Sequence, residues 1–181
     1  EPIVNGFTRS FRANIGGERR EWVKPIMFTG GLGIMQDKHT KKYDPQKDMV
    51  VCKIRGPVYK IGLGGSTASS RVSDDKNAKL DFSAVQRADP QMEQKMNKVI
   101  RSCTEMGDNN PILSIHDQGA GGNGNVLKEL IDGLGATLNL DNLKYGTQNI
   151  SVIETWLSEY QESNAILISE SSIDLLEDLC Y

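Results

Sequence analysis

The chain has 181 residues, of which 38% are hydrophobic and 25% charged, and its formal net charge is −3. This length fits one domain or slightly more, and the composition is that of a globular protein with a buried core. The sequence has no Lys/Arg-rich stripe, which argues against a nucleic-acid partner, and no apolar run approaches the ~18 residues that a membrane span requires.

The first residues and the cysteines indicate whether the chain is part of a longer protein and in which compartment it works. The chain begins at residues 1–3 without an initiating Met and without a basic-then-apolar leader. This beginning predicts an internal piece of a longer protein. Cys52, Cys103 and Cys180 are widely spaced and form no CxxC pair, so neither a zinc site nor a disulfide framework is indicated. Three reduced thiols in the cytoplasm are therefore expected.

The first third of the chain has short apolar segments separated by glycines. Residues 24–28 predict a strand that ends in the glycine-rich turn 30–33. The polar residues 34–48 predict a loop. Residues 49–54 and 58–61 both have the pattern of a strand, and we expect the two to form a hairpin.

The clearest helix is predicted between Asp89 and Gly107. Asp89 is a good N-cap, Pro90 suits the first helical position, and Gly107 is placed to end the helix. Apolar residues recur at intervals of three and four and form one face, which consists of Met92, Met96, Val99, Ile100, Cys103 and Met106.

The rest of the chain alternates strands and helices. Residues 111–116 and 165–168 are typical of buried strands, and residues 123–131, 151–158 and 173–179 predict helices. This order favours an α/β or α+β sandwich, in which helices pack on a mixed β-sheet.

Two further glycine clusters follow predicted strands. Residues 62–70 have glycines followed by Ser66 and Thr67, and such a loop either cradles a phosphate or forms a glycine turn beside a sheet. Residues 119–124 satisfy G-x-G-x-x-G, the pattern of dinucleotide-binding loops. We discount that interpretation because polar residues 116–118 precede the glycines and no second strand ending in an acidic residue follows.

Asp117 is the strongest candidate for a metal ligand. It lies at the end of a predicted strand, before a glycine turn, where a carboxylate can hold Mg²⁺ together with a phosphate. The alternative is a helix N-cap. Alternation along the strand points His116 to the opposite face, which favours a core or sheet-face histidine over a catalytic base.

Polar residues at two further places are candidates for a binding site. Gln86 lies in the stretch 80–90, and an amide side chain can both donate to and accept from a ligand. Residues 159–164 form a polar cluster just before a buried strand, and such a cluster either lines a site or is a simple loop.

Together these stretches resemble a known family. Residues 22–31, 62–70, 80–87, 110–122 and 159–164 are similar, in order and spacing, to the phosphoribosylformylglycinamidine synthases, in the first synthetase half of the large single-chain form. The resemblance covers nearly the whole chain. The family commonly has three glycines followed by two alanines in the 62–70 loop, and in this chain Ser66 and Thr67 intervene. Other branches have Ser where Tyr160 stands.

The resemblance implies a domain division and a set of site residues. Residues 1–30 would be the C-terminal end of an ATP-binding subdomain, and residues 31–181 a domain like the C-terminal domain of aminoimidazole ribonucleotide synthetase. The implied roles are substrate binding by Gln86, Glu159, Tyr160 and Gln161, ATP contact by Asn5, Gly6 and Phe7, and Mg²⁺ binding by Asp117. No catalytic residue is implied in this chain.

The resemblance also implies an activity for the full-length protein. It would be a carbon–nitrogen ligase that uses ATP and glutamine to convert formylglycinamide ribonucleotide to formylglycinamidine ribonucleotide, in de novo purine biosynthesis. ATP would phosphorylate the substrate amide oxygen, and ammonia released by a glutaminase domain would then attack the carbon. The partners would be the remaining domains of the same enzyme, and the chain alone is expected to be inactive.

Two other functions remain open from the residues. One is a related phosphotransferase, such as a selenophosphate or aminoimidazole ribonucleotide synthetase, although residues 80–87 and 159–164 argue against it. The other is a non-catalytic domain whose half-site serves as a docking surface.

Overall fold

The computed structural model describes residues 5–22, 26–61, 89–159 and 162–181. The chain divides into two compact units, Glu1–Lys41 and Lys42–Tyr181. Within the described ranges, no helix has the length and apolar character needed to cross a membrane.

The first unit consists of two antiparallel strand pairs. Strand β1 (Asn5–Arg9) pairs with β4 (Ile26–Gly30), and β2 (Arg12–Ile15) pairs with β3 (Glu18–Glu21). The β2–β3 turn is formed by two glycines with φ values of 60° and 84°, which suits the left-handed turns that join adjacent strands. None of the described residues of this unit is buried.

In the residues that the structure describes, the second unit is built on a three-stranded antiparallel sheet. Its strands are β5 (Met49–Arg55), β6 (Ser114–Asp117) and β7 (Ser163–Ser169), in the order β5-β7-β6. Strand β7 takes the central position because it is apolar on both faces, and its residues 165–168 are at most 1% exposed. The strands predicted over 49–54 and 165–168 are confirmed, and the strand predicted over 111–116 is observed as the shorter β6, which begins three residues later.

Helices cover both faces of this sheet. They are α1 (Pro90–Glu105), α2 (Gly122–Leu130), α3 (Val152–Leu157) and α4 (Ile173–Cys180). Successive residues of β7 point to opposite faces: Ile166 and Ile168 pack in a cluster with α1 and α4, whereas Ala165 and Leu167 pack in a cluster with α2. The structure therefore confirms an α+β sandwich.

Helix α1 matches its prediction closely. The Asp89 carboxylate accepts a hydrogen bond of 3.0 Å from the Met92 amide, and Pro90 is the first helical residue. Met96 and Cys103 of the predicted apolar face are buried in the core. Gly107 follows the helix with a φ of 60°, a conformation that glycine adopts without strain.

The predicted hairpin between residues 49–54 and 58–61 is wrong. Strand β5 pairs with β7 instead, and Val58 forms an isolated parallel bridge with Tyr145. Val58 and Ile61 are buried in a small separate cluster. Strand β5 pairs with β7 rather than with residues 58–61 because β7 offers seven paired residues, of which all but Ser169 are buried.

Candidate functional site

The candidate site lies at one end of the three-stranded sheet. There β5 and β6 end and β7 begins: Arg55 lies opposite Ser163, and Asp117 lies opposite Asn164. The Gln118 amide continues the ladder by donating to the Ser163 carbonyl over 3.0 Å. The ends of all three strands therefore lie side by side at this edge of the sheet.

The Gln118 side chain connects three segments at this end. Its Oε1 accepts from Lys53 Nζ at 2.7 Å and from Ser163 Oγ at 3.2 Å, and its Nε2 donates to the Ser158 carbonyl at 3.3 Å. Gln118 follows Asp117 in the chain, and Ser158 precedes Glu159. The Gln118–Ser158 bond therefore brings two of the predicted site residues to the same end of the sheet.

Glu159 is held in a buried environment. Its exposure is 7%, and the preceding Ser158 is fully buried, with its hydroxyl donating to the Ile61 carbonyl over 3.1 Å. On the other side of the segment, Glu162 has a φ of 52° and accepts from the Asp89 amide at 3.2 Å. Burial raises the pKa of the Glu162 carboxyl.

Asp117 is exposed, in contrast to Glu159. Its side chain is 89% accessible, and its carboxylate lies 3.5 Å from His116 Nδ1. The alternative role of Asp117 as a helix N-cap is wrong, because α2 is preceded by Gly121 in a left-handed conformation and has no side-chain cap. The Asp117 carboxylate is thus available to a ligand from solvent.

His116 lies on the face of the sheet that α2 covers, as strand alternation predicts. Its Nε2 is hydrogen-bonded to the Glu129 carboxylate of α2. That bond, with a second one from Asn125, holds the pKa of Glu129 below its usual range. This pairing ties β6 to α2 and favours a structural role for His116.

The described residues fit Mg²⁺ bound through a single carboxylate. Within the part of the chain that the structure describes, no group of three or more His, Cys, Asp or Glu residues is arranged to hold a metal ion. Mg²⁺ in nucleotide sites commonly takes one or two carboxylates and completes its shell with phosphate oxygens and water. The exposed Asp117 matches that donor set, whereas an all-protein cage is not formed by the described residues.

Of the predicted ATP-contacting residues, Asn5, Gly6 and Phe7 lie on β1 of the first unit. A Cβ on Gly6 would approach the Phe28 carbonyl oxygen to 2.9 Å, so a side chain there would disturb the β1–β4 pairing. The Phe7 and Phe28 rings stack with centroids 5.0 Å apart.

Several predicted features fall outside the described residues: the substrate-binding residues Gln86, Tyr160 and Gln161, and the 62–70 glycine loop. Two described residues, Lys53 and Gln118, were not singled out from the sequence. The signal for Lys53 was present, because a lysine inside the otherwise apolar run 49–54 is unusual.

Lys53 is a perturbed lysine at the centre of the network. Burial, with a smaller contribution from the Arg55 guanidinium, lowers the pKa of Lys53 to about 7. In the unfolded chain the ammonium keeps its proton until about pH 10.4. Between these two values the unfolded state binds more protons than the folded state, so Lys53 makes stability rise as pH increases from about 7.

We therefore expect Lys53→Met to be more stable than the parent chain at pH 6, by about 2 kcal/mol, because the cation no longer has to be buried. The difference should shrink steadily as pH approaches 10. Urea unfolding at pH 6, 8 and 9.5 measures it. Lys95→Met, which changes an exposed lysine of α1, is the matched control and should stay within about 0.5 kcal/mol of the parent at each pH. A Lys53→Met variant less stable than the parent at pH 6 would contradict this account.

Comparison with known proteins identifies the domain. The family model described as AIR synthase related protein, C-terminal domain, matches residues 48–180. The phosphoribosylformylglycinamidine synthase of Dictyostelium discoideum is 53% identical over 98% of this chain. The chain spans only 13% of the length of that relative.

Solved structures share the fold. Thermotoga maritima PurL complexed with FGAR is matched with a TM-score of 0.65 and 24% identity, over 86% of this chain and 24% of that chain. Thermotoga maritima PurL complexed with AMPPCP is matched with a TM-score of 0.58 and 18% identity, over 86% of this chain and 22% of that chain. The chain therefore belongs to the family described as AIR synthase related protein, C-terminal domain, and nearly all of it is similar to one segment of the phosphoribosylformylglycinamidine synthases.

Proposed function

We propose that this chain is a segment of a phosphoribosylformylglycinamidine synthase. The full-length protein would use ATP and glutamine to convert formylglycinamide ribonucleotide to formylglycinamidine ribonucleotide in purine biosynthesis. The observation that carries the proposal is 53% identity over 98% of the chain to a relative of that name. Identity at this level supports this activity over that of a selenophosphate or aminoimidazole ribonucleotide synthetase.

In this proposal, the end of the sheet contributes part of the substrate site. Gln86, Glu159, Tyr160 and Gln161 would bind the formylglycinamide ribonucleotide. The burial of Glu159 and its indirect link to Asp117 support this role, because a carboxylate fixed near a strand end can position a ligand. Binding of FGAR by a PurL protein of the same fold gives further support.

ATP and Mg²⁺ would be the other ligands. A PurL of the same fold is complexed with AMPPCP, which supports an ATP site. Asn5, Gly6 and Phe7 would contact ATP, and the exposed Asp117 would hold Mg²⁺ together with phosphate oxygens. When bound, Mg²⁺ neutralises charge on the phosphoryl group that is transferred.

The other participants would come from the rest of the full-length protein. The glutaminase that releases ammonia would belong to the remaining domains, so the 181-residue chain alone is expected to be inactive. A boundary near residue 30 between an ATP-binding part and the C-terminal-type domain, and a cytoplasmic location, stay predictions.

A kinetic comparison in the full-length protein tests the proposal. We expect wild-type protein to form formylglycinamidine ribonucleotide in a reaction that requires ATP, glutamine and substrate. Gln86→Ala should raise the KM for formylglycinamide ribonucleotide by about tenfold or more, as expected for loss of a side chain that hydrogen-bonds the ligand. Gln91→Ala, which removes an exposed glutamine five positions away on α1, is the control and should leave all constants unchanged.

Two results would contradict the proposal. Wild-type protein without this activity would refute the assigned reaction. Equal KM values for Gln86→Ala and Gln91→Ala would leave the reaction standing but would remove Gln86 from the substrate site.

A further inference from the structure

One side chain, that of Gln118, bonds to the chain on both sides of residues 159–162. Its Nε2 donates to the carbonyl of Ser158 at 3.3 Å, and its Oε1 accepts from the hydroxyl of Ser163 at 3.2 Å. Its backbone amide also donates to the Ser163 carbonyl at 3.0 Å. Gln118 therefore fixes where the chain leaves α3 and where it enters β7.

Lys53 determines the orientation of the Gln118 amide. A protonated lysine has only donors, so the Gln118 atom that it contacts at 2.7 Å is the amide oxygen, and the amide nitrogen faces Ser158. Lys53 reaches Gln118 across the central strand, where the residue opposite it is Ala165, which has no side chain beyond Cβ. The bond is charge-assisted whenever Lys53 is protonated, which strengthens it.

The chain around Glu159 has a conformation that such a connection would stabilise. Glu162 is a non-glycine residue in the left-handed region, with a φ of 52°, and such a conformation persists only when its surroundings hold it. Glu159 is buried, whereas Asp117 is exposed. A single residue, Gln118, adjoins Asp117 and bonds to the neighbour of Glu159, and so links the backbone at these two positions.

We propose that Gln118 is a positioning residue that, oriented by Lys53, holds Glu159 in place relative to Asp117. This inference rests on the proposed function for its kinetic consequence. Gln118 itself touches no reacting atom in this assignment: it acts through Glu159, on the binding of the formylglycinamide ribonucleotide. A positioning residue of this kind should change substrate KM more than ATP KM.

The first test is hydrogen exchange of the backbone amides in the full-length protein, which requires no activity. In Gln118→Leu, a substitution that keeps most of the side-chain volume, we expect exchange in a peptide covering residues 158–164 to be about tenfold faster or more. Exchange of β5 and of α1 should be unchanged. Lys53→Met should give a smaller acceleration in the same peptide, because it removes only the bond that orients the amide.

The second test is kinetic. Gln118→Leu should raise the KM for formylglycinamide ribonucleotide by about tenfold, with the KM for ATP changed by less than about twofold. Asn97→Leu is the matched control. The Asn97 amide donates within α1, to Glu93 at 3.1 Å, and its loss should change neither KM.

The outcomes separate this inference from the proposed function. Unchanged exchange in the 158–164 peptide of Gln118→Leu overturns the positioning role, and so does a uniform increase across the whole sheet, which would mark Gln118 as a general structural residue. Inactive wild-type protein refutes the proposed function, while the exchange result still decides the role of Gln118. If Gln118→Leu does not fold, Gln118→Glu replaces it: that variant keeps the acceptor for Lys53 but loses the donor to Ser158, and it should loosen the same peptide.

Discussion

Replacement of Asp117 by asparagine in the full-length protein is expected to lower turnover by about a thousandfold or more while leaving the fold intact. The substitution keeps the size of the side chain and removes the charge that would hold Mg²⁺. Loss of a carboxylate ligand at a phosphoryl-transfer site corresponds to several kcal/mol of transition-state stabilisation. The fold should survive because the Asp117 side chain is 89% exposed and contributes little packing.

Two measurements on Asp117→Asn are needed together. Steady-state turnover at saturating substrate gives the loss of activity, and thermal unfolding should give a midpoint close to that of wild type. Asp132→Asn, which neutralises an exposed carboxylate just after α2, is the charge-matched control and should retain full turnover. Partial recovery of Asp117→Asn at higher Mg²⁺ concentration would strengthen the assignment. Full activity of Asp117→Asn at ordinary Mg²⁺ would eliminate Asp117 as the metal ligand.

Elements with strong local signals were predicted well from the sequence. Helix α1 has an N-cap, a proline at its first position and an apolar face that repeats every three or four residues. Strand β7 is a short apolar run between polar residues. Both kinds of signal act between residues close in the chain, so they survive into the folded structure without help from distant contacts.

Strand pairing depended on contacts that local patterns do not contain. Strand β5 is adjacent in sequence to residues 58–61, and a hairpin was the natural expectation. The observed partner of Lys53 is Ala165, more than a hundred positions away. The choice between these partners depends on how much apolar surface each pairing buries, and that quantity is defined only when the whole core is assembled.

At the candidate site, too, individual residues were predicted from the sequence, whereas the bonds between residues far apart in the chain were not. Asp117 was predicted from its position at a strand end and Glu159 through the resemblance to a family, and the structure brings their neighbours Gln118 and Ser158 into contact. Lys53 and Gln118 were missed because their importance lies in bonds between residues 65 and 40 positions apart, respectively. The sequence showed a lysine in an apolar strand and a glutamine beside an aspartate, but it did not show that they meet.

The second large effect is expected at Gly122, the first residue of α2, which should not tolerate alanine. Its φ is 58°, and a Cβ there would lie 2.7 Å from the carbonyl carbon of Leu157 and would also collide with the Ser158 carbonyl oxygen. Both atoms belong to the backbone, so no rotamer change relieves the overlap. We expect Gly122→Ala to lower the free energy of unfolding by about 3–5 kcal/mol, from the left-handed strain together with the forced displacement of residues 157–158.

Gly133→Ala isolates the contribution of strain in this comparison. Gly133 has a φ of 82°, and a Cβ there would meet no atom within 4 Å, so only the left-handed strain of about 1–2 kcal/mol should appear in urea unfolding. The excess loss in Gly122→Ala then measures the contact between the start of α2 and Ser158, the same residue that Gln118 holds beside Glu159. In the full-length protein, Gly122→Ala should therefore also raise the substrate KM, whereas Gly133→Ala should not. Equal losses of stability in the two variants would mean that residues 157–158 can be displaced at little cost in free energy. Such a segment could not hold Glu159 in a fixed position.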